Sequence, residues 1–343
     1  GSRSGARIGL PCRAPAPAPA ACPAAPGRPA VRAACRARTR RFRRAPGATG
    51  ADRRAADGFS SGAVAGLPAA SARPAAACTV TLELELRELA TEIAEEAGRL
   101  ARTRRQEGVR LAATKSSLAD IVTEADREVE ALIRARLRAA RADDGFLGEE
   151  SGAEVGSSGI TWVVDPIDGT VNYAYGIPAY NVSIAAVRGE PDPATWEALA
   201  GAVNAPALGE TFTAARGHGA WVNGSRLAVT AATPAGALLA TGFGYDPATH
   251  EGDIATVARV MPMARDLRRM GAAALDLAFV AAGRLDGYFE RGLRPWDFAA
   301  GALLVEEAGG VVSRIDVDSL RPMLIAGGPD VHARLLAILD EKP

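Results

Sequence analysis

The sequence predicts a mixed fold, α+β in its first half and α/β in its second. Three observations carry this: apolar residues at helical spacing after Leu86, two long strand-like apolar runs at 160–164 and 181–187, and regular strand–helix alternation after Pro234.

Taken in order, Leu89, Ile93, Ala97 and Leu100 mark a helix that ends near Gly108, after the basic cluster Arg102, Arg104 and Arg105. Thr123-x-x-Asp126 has the form of a capping box, opening a second helix through Val129, Leu132, Ile133 and Leu137. Gly145-Phe146-Leu147 reads as a short buried strand running into Gly148-Glu149-Glu150. The two long strands follow, then shorter ones at 198–204, 210–214 and 219–222, with Asn223-Gly224 as a turn. Beyond Pro234, strands at 237–242, 265–269, 285–290, 310–313 and 323–326 are expected, with helices at 249–260, 272–282, 296–308 and 330–340. One body (80–343) is expected, with an N-terminal lobe of about 80–233 and a C-terminal lobe of about 234–343.

Charge divides the chain more sharply. Forty basic and 40 acidic residues cancel overall, yet residues 1–78 hold 14 arginines, no lysine and two acids, a net of +12. The remainder holds 26 bases against 38 acids, a net of −12. All four cysteines and ten of the 22 prolines also lie in the first segment, which shows no period of 2 or 3.6. Residues 1–79 are therefore expected to be a disordered Ala/Arg/Pro-rich leader: a mis-called start, a basic arm or an organelle transit peptide. A secretory signal is disfavoured because no continuous apolar stretch is present. Cys22–Arg28 and Cys35–Arg41 spell the C-x5-R loop of cysteine phosphatases, but Pro-rich coil supplies no helix N-terminus to focus N–H groups on phosphate.

The body contains no cysteine, which excludes disulfides, Cys-ligated zinc and thiol nucleophiles there. Its three histidines, His218, His250 and His332, are far apart, against a histidine-built zinc site. Excess acid argues against nucleic acid as a partner and suits hard cations. No run of 18 apolar residues is present, so no membrane span and a cytoplasmic location are expected.

The chemistry concentrates at Trp162-Val163-Val164-Asp165-Pro166-Ile167-Asp168-Gly169-Thr170. A hydrophobic strand ends in a carboxylate, Pro and Gly are expected to force a tight turn, and a second carboxylate follows three residues on. Like charges so close raise each other's pKa unless a cation sits between them, and Mg²⁺ takes oxygen ligands while keeping positions open for phosphate and water. Gly169 and Thr170 would offer backbone N–H groups to an anion. An Asp-Pro turn with Asp168 as a plain helix cap would leave Asp165 unexplained. Gly148-Glu149-Glu150-Ser151 and Trp296-Asp297-Phe298-Ala299-Ala300-Gly301 add carboxylates; alone, each reads equally well as an acidic turn or a helix cap.

Together, and in this order, GEES, DPIDGT and WDFAAG resemble the inositol monophosphatase family of Mg²⁺-dependent, lithium-sensitive phosphatases. Lys115-Ser116-Ser117, Asp120 to Asp126, Gly271 to Ala274 and Gly287-Tyr288-Phe289-Glu290 extend the likeness over about 82–340. The resemblance implies a layered αβαβα sandwich of the inositol monophosphatase / fructose-1,6-bisphosphatase type, commonly a homodimer. It implies two to three Mg²⁺ per site. Glu149, Asp165 and the Ile167 carbonyl would hold the first, and Asp165, Asp168 and Asp297 the second, with Glu149 also serving a weaker third. Thr170, bonded toward Asp126, matches the pair that orients and deprotonates the attacking water, so Asp126, Glu149 and Thr170 form the implied catalytic set. Backbone groups of Gly169 and Thr170 match phosphate ligands; Asp168, Ala273 and Glu290 match groups that hold a polyol. The implied reaction is hydrolysis of a small phosphorylated polyol, inositol 1-phosphate first and histidinol phosphate second, because Glu290 would repel a second phosphate.

Two departures bear on substrate identity. Ala272 stands where family members often have Thr, and residues 189–199 replace a short hairpin. D-P-I-D-G-T also resembles the D-x-D-G-T of aspartyl-phosphate phosphatases, but its extra residue changes the face of the second Asp, and only Lys115 and Lys342 could supply the lysine those enzymes need. A non-catalytic binding role, as in some bacterial relatives, is a further alternative. Asn181-Val182-Ser183 reads as a strand start; Arg268-Arg269 could approach phosphate but reads as part of a strand, with a solvated or partner-facing role.

Overall fold

The computed structural model describes residues 81–109, 111–114, 121–315 and 320–340. The leader, with its C-x5-R spellings, and residues 115–120, with Lys115 and Asp120, lie outside the described residues.

Helix α1 (Leu82–Glu107) buries Leu86, Ala90, Ile93, Ala97 and Ala101, three to four apart, as one inward stripe. A short ribbon, β1 (Leu111–Thr114) and β2 (Ile121–Thr123), leads into α2 (Glu124–Ala140). The expected capping box is present at that junction: Thr123 N–H donates to Asp126 Oδ2 at 2.8 Å and Asp126 N–H to Thr123 Oγ1 at 3.4 Å. Next come β3 (Gly145–Gly148), β4 (Gly152–Glu154), β5 (Ile160–Asp168), the six-residue helix α3 (Thr170–Tyr175) and β6 (Asn181–Arg188). Strands β7 (Glu197–Ala205), β8 (Glu210–Ala215), β9 (Gly219–Val222) and β10 (Ser225–Arg226) complete an eight-stranded sheet of order β10-β9-β8-β7-β6-β5-β3-β4. Asn223 and Gly224 both take positive φ, 46° and 80°, the conformation a two-residue hairpin turn requires.

The second half alternates as expected: β11 (Ala237–Thr241), α4 (His250–Val260), β12 (Ala264–Arg268), α5 (Ala273–Ala281), β13 (Gly287–Arg291), α6 (Pro295–Glu307), β14 (Val311–Ile315), β15 (Met323–Gly327) and α7 (Pro329–Leu339). Its five strands form a separate sheet of order β12-β11-β13-β15-β14.

Strand alternation shows how the layers stack. Trp162 and Val164 of β5, with Ile184 and Ala186 of β6, pack into the core built by α1 and α2. Val163, Ala185 and Val187 face the other way, into the core of α5 and α6. That core also holds Ala240, Tyr288 and Leu324 from the smaller sheet, while Leu239, Phe289 and Ile325 turn to Val260, Val331 and Leu335 of α4 and α7. The order is α, β, α, β, α, the layered sandwich the resemblance implied. In the middle layer α5 and α6 approach closely, since a Cβ on Gly301 would stand 2.6 Å from Leu277 Cβ. This contact helps fix α6, and with it Asp297 in its first turn.

Two details differ from expectation. β1, β2, β4 and β10 have two to four residues, too short to show a period. Strand β5 does not stop at Val164 but runs to Asp168, with an irregular register against β6 between Asp165 and Asp168. Pro166 has no N–H to pair, so the strand bulges there and turns only at Gly169.

Candidate active site

The bulge in β5 settles which way its acids face. In a regular strand, residues three apart point to opposite sides. Pro166 and Ile167 absorb the odd residue, and Asp165, Ile167 and Asp168 all line one cavity of about 600 Å³. Glu149, Gly169, Thr170, Ala273, Glu290 and Asp297 line it too. Of the expected site residues only Asp126 stands behind the wall, reached through Thr170, whose Oγ1 lies 3.3 Å from Asp126 Oδ1.

Each side chain has an identifiable anchor. Asp168 accepts from Ala273 N–H at 3.1 Å, Ala274 N–H at 2.8 Å and Asn181 Nδ2 at 2.7 Å. Asp165 Oδ1 accepts from Ile167 N–H at 3.1 Å, within its own bulge. Asp297 Oδ2 accepts from Arg294 N–H at 2.6 Å, closing the first turn of α6. Glu149 follows β3, and its N–H donates to Val164 O at 3.2 Å, which holds it beside Asp165. The paired glutamates separate here: Glu150 is absent from the cavity lining, and its N–H donates to Glu130 Oε2 at 2.9 Å.

Gly169 takes φ 87°, and a Cβ there would meet Ala179 O at 2.8 Å, so only glycine serves at this turn. Helix α3 is too short for an appreciable macrodipole, and any anion affinity at its start rests on individual N–H groups. Thr170 Oγ1 has a single proton and two acceptors in reach, Ile167 O at 3.0 Å and Asp126 Oδ1. Its hydroxyl can therefore pass protons between the cavity and Asp126.

The electrostatics point one way. Burial, then Glu149, Asp168, Asp297 and Asp126, push the Asp165 carboxyl well above its usual range. Asp297 is raised by burial against its Arg294 N–H bond, with Glu149, Asp168 and Glu290 adding to the rise. Burial lifts Asp168 to about 6 despite its three donors, and lifts Asp126 to about 6 despite Thr123. Every charge that bears most on Asp165 is negative. Among the described residues no three of Asp, Glu, His and Cys are drawn together as a ready-made cage. In kind the set fits a hard divalent cation: oxygen donors throughout, excess negative charge and one shared cavity.

A family model described as the inositol monophosphatase family matches residues 83–342. The chain belongs to this family. It is 42% identical to the inositol-1-monophosphatase SuhB of Mycobacterium tuberculosis (strain ATCC 25618 / H37Rv) over 275 residues, 74% of this chain and 93% of that one. It is 40% identical to the Nus factor SuhB of Escherichia coli (strain K12) over 256 residues, 73% and 93% of the two chains. Among solved structures, the extragenic suppressor protein suhB of Bartonella henselae matches with a TM-score of 0.68 at 36% identity, covering 76% of this chain and all of that one.

For a member of the inositol monophosphatase family, two contributors, Asn181 and Tyr288, escaped the sequence reading, and a third, Arg269, was placed in a strand. Asn181, read as a strand start, pairs directly opposite Asp168 in the register of β5 and β6 and donates to it. The signal was a polar residue opening an otherwise apolar strand. Arg269 is not in a strand: β12 ends at Arg268, and Arg269 lines the cavity with its guanidinium 5.9 Å from the Phe243 ring centroid. Tyr288 is fully buried, and its hydroxyl donates to Glu290 Oε2; nothing in its sequence neighbourhood distinguished it from a core aromatic.

Proposed function

We propose that this protein hydrolyses a phosphate monoester with Mg²⁺ as cofactor, inositol 1-phosphate being the first candidate, by direct attack of water. The observation that carries the reading is the convergence of Glu149, Asp165, Asp168 and Asp297 on one cavity, where the charges they meet are chiefly each other's. Asp165 with Glu149 and the Ile167 carbonyl, and Asp165 with Asp168 and Asp297, would hold two ions, with Glu149 serving a weaker third. Bound Mg²⁺ would lower the pKa of water and neutralise phosphate and leaving oxygen.

The chain's own groups do the rest. Thr170 Oγ1 accepts the proton of the attacking water and hands its own to Asp126, whose raised pKa of about 6 suits a base working near neutrality. Backbone N–H groups of Gly169 and Thr170 orient the phosphate. Asp168, Ala273 and Glu290 hold hydroxyls of the leaving polyol. The absence of cysteine in the body fits a route without a covalent enzyme intermediate. Lithium sensitivity, a homodimer and a cytoplasmic location belong to the same proposal; no helix among the described residues is long and apolar enough to cross a membrane.

Two observations favour other readings. Arg269, Arg291, Arg294 and Arg321 also line the cavity, which tempers the argument that Glu290 excludes a second phosphate. One relative is named a Nus factor, and a binding role is the second reading of this chain. The complete acid set and the Thr170–Asp126 pair support catalysis. The test is phosphate release from inositol 1-phosphate, histidinol phosphate, fructose 1,6-bisphosphate and 3′-phosphoadenosine 5′-phosphate, each with and without Li⁺. Fastest Li⁺-sensitive release from inositol 1-phosphate is expected; no release from any ester would favour the binding role.

A further inference from the structure

Glu290 reaches the cavity near the end of β13, and two residues hold its carboxylate from different sides. Tyr288 precedes it by two on the same strand, so both side chains leave the same face. The Tyr288 ring is fully buried in the middle-layer core, and its hydroxyl donates to Glu290 Oε2. Gly242 follows β11, which pairs in parallel with β13 with Thr241 opposite Phe289. A Cβ built on Gly242 would stand 2.0 Å from Glu290 Oε2 and 2.2 Å from Oε1. The backbone of Gly242 is not left-handed, so what glycine provides there is space for the Glu290 carboxylate. The carboxylate therefore lies flush against a bare Cα, with one oxygen engaged by the hydroxyl of a fully buried phenol.

We propose that Tyr288 and Gly242 are positioning residues for Glu290: they fix its carboxylate so that Oε1 faces a hydroxyl of the leaving group, selecting polyol phosphates over esters lacking that hydroxyl. The proposal rests on the reading of Glu290 as a hydroxyl acceptor given above. A carboxylate free to rotate would lose entropy on binding and accept from many geometries; one held in place discriminates by position.

The experiment measures kcat and KM for inositol 1-phosphate and for p-nitrophenyl phosphate, which has no hydroxyl on its leaving group. Tyr288→Phe keeps the packed ring and removes the donor. Gly242→Ala meets only the end of the Glu290 side chain, so the fold tolerates it and the carboxylate is displaced. Each variant is expected to raise KM for inositol 1-phosphate about tenfold more than KM for p-nitrophenyl phosphate, the loss of about one hydrogen bond. In a Glu290→Ala background neither substitution should add to that selectivity loss. Equal changes for the two esters, or full effects persisting without the Glu290 side chain, would overturn the proposal. Absence of hydrolysis of either ester by the unmutated protein would instead sink the phosphatase reading, and this one with it.

Discussion

The cavity of about 290 Å³ at the end of α2 is lined by Asp143, Asp144 and Glu154, and the larger one at the end of β5 by Glu149, Asp165, Asp168, Glu290 and Asp297. In the smaller cleft, Arg134 and Arg138 both pair with Glu154, and the Arg134 hydrogen bond leads in holding its pKa below the usual carboxylate range. Asp144, almost fully buried, pairs with Arg141 and accepts from Ser158 Oγ at 2.6 Å and Trp162 Nε1 at 2.9 Å. In the larger cleft burial and mutual repulsion push Asp165, Asp168 and Asp297 the opposite way. Acid is present in both. Arginines line both clefts, but in the smaller one they pair directly with the acids, whereas the charges that bear most on Asp165, Asp168 and Asp297 are other acids.

The largest expected effect separates the clefts by activity. Asp168→Asn should lower phosphate release by about 10³-fold or more at any Mg²⁺ concentration, about 4 kcal/mol of transition-state stabilisation. Glu154→Gln should leave the rate within about twofold. A fully active Asp168→Asn would remove the distinction.

Stability should separate them in the reverse sense. Asp144→Ala leaves the Trp162 donor and the Arg141 charge without their partner, and a loss of about 1–3 kcal/mol is expected in thermal or urea unfolding, with or without Mg²⁺. Asp165→Asn removes a repelled, buried charge, so in EDTA its melting temperature should rise above that of the unmutated protein. Mg²⁺ at about 100 times its Kd should stabilise the unmutated protein by about 2.7 kcal/mol and Asp165→Asn much less.

Proton linkage gives a third contrast. Asp126 and Asp168 at about 6 and Glu290 at about 7 lie above their unfolded values, so between about pH 4 and 7 the folded chain binds more protons than the unfolded one. Metal-free stability should therefore fall as pH rises from about 4 to 7, and melting in EDTA should be higher at pH 5 than at pH 7.5. Asp168→Asn should narrow that gap, whereas Glu154→Gln, whose carboxyl lies below its usual range, should not.

A fourth contrast concerns the proton path, which only the larger cleft has. With Asp126 as base, kcat should decline below about pH 6, and Thr170→Val should lower kcat by about 10²-fold while Thr170→Ser retains most of it. A Thr170→Val variant with unchanged kcat would remove Thr170 from the path.

Much of this was legible in the residues. Long elements with a clear period, such as α1 and β6, and the capping box at Thr123 follow from local spacing, because local physics decides them. The extent of β5 was not legible, since the consequence of Pro166 depends on the register of β6 beside it. The acids were visible as motifs, but their anchors were not. Asn181 and the Ala274 N–H act on Asp168 only because strand pairing and helix packing bring them near, whereas Tyr288 acts within its own strand and could not be told from a core aromatic. Arg269 was misassigned because one residue more or less in β12 decides whether its side chain belongs to a strand or to the cavity rim.

Asp165, Asp168 and Asp297, with Glu149, would take their counter-charge from Mg²⁺ and so become a phosphatase site. Its most direct test is the rate of phosphate release from inositol 1-phosphate as Mg²⁺ is titrated into EDTA-treated protein. No release without the ion and saturable recovery with it are expected; release independent of Mg²⁺, or none at any concentration, would rule out a Mg²⁺-dependent phosphatase site.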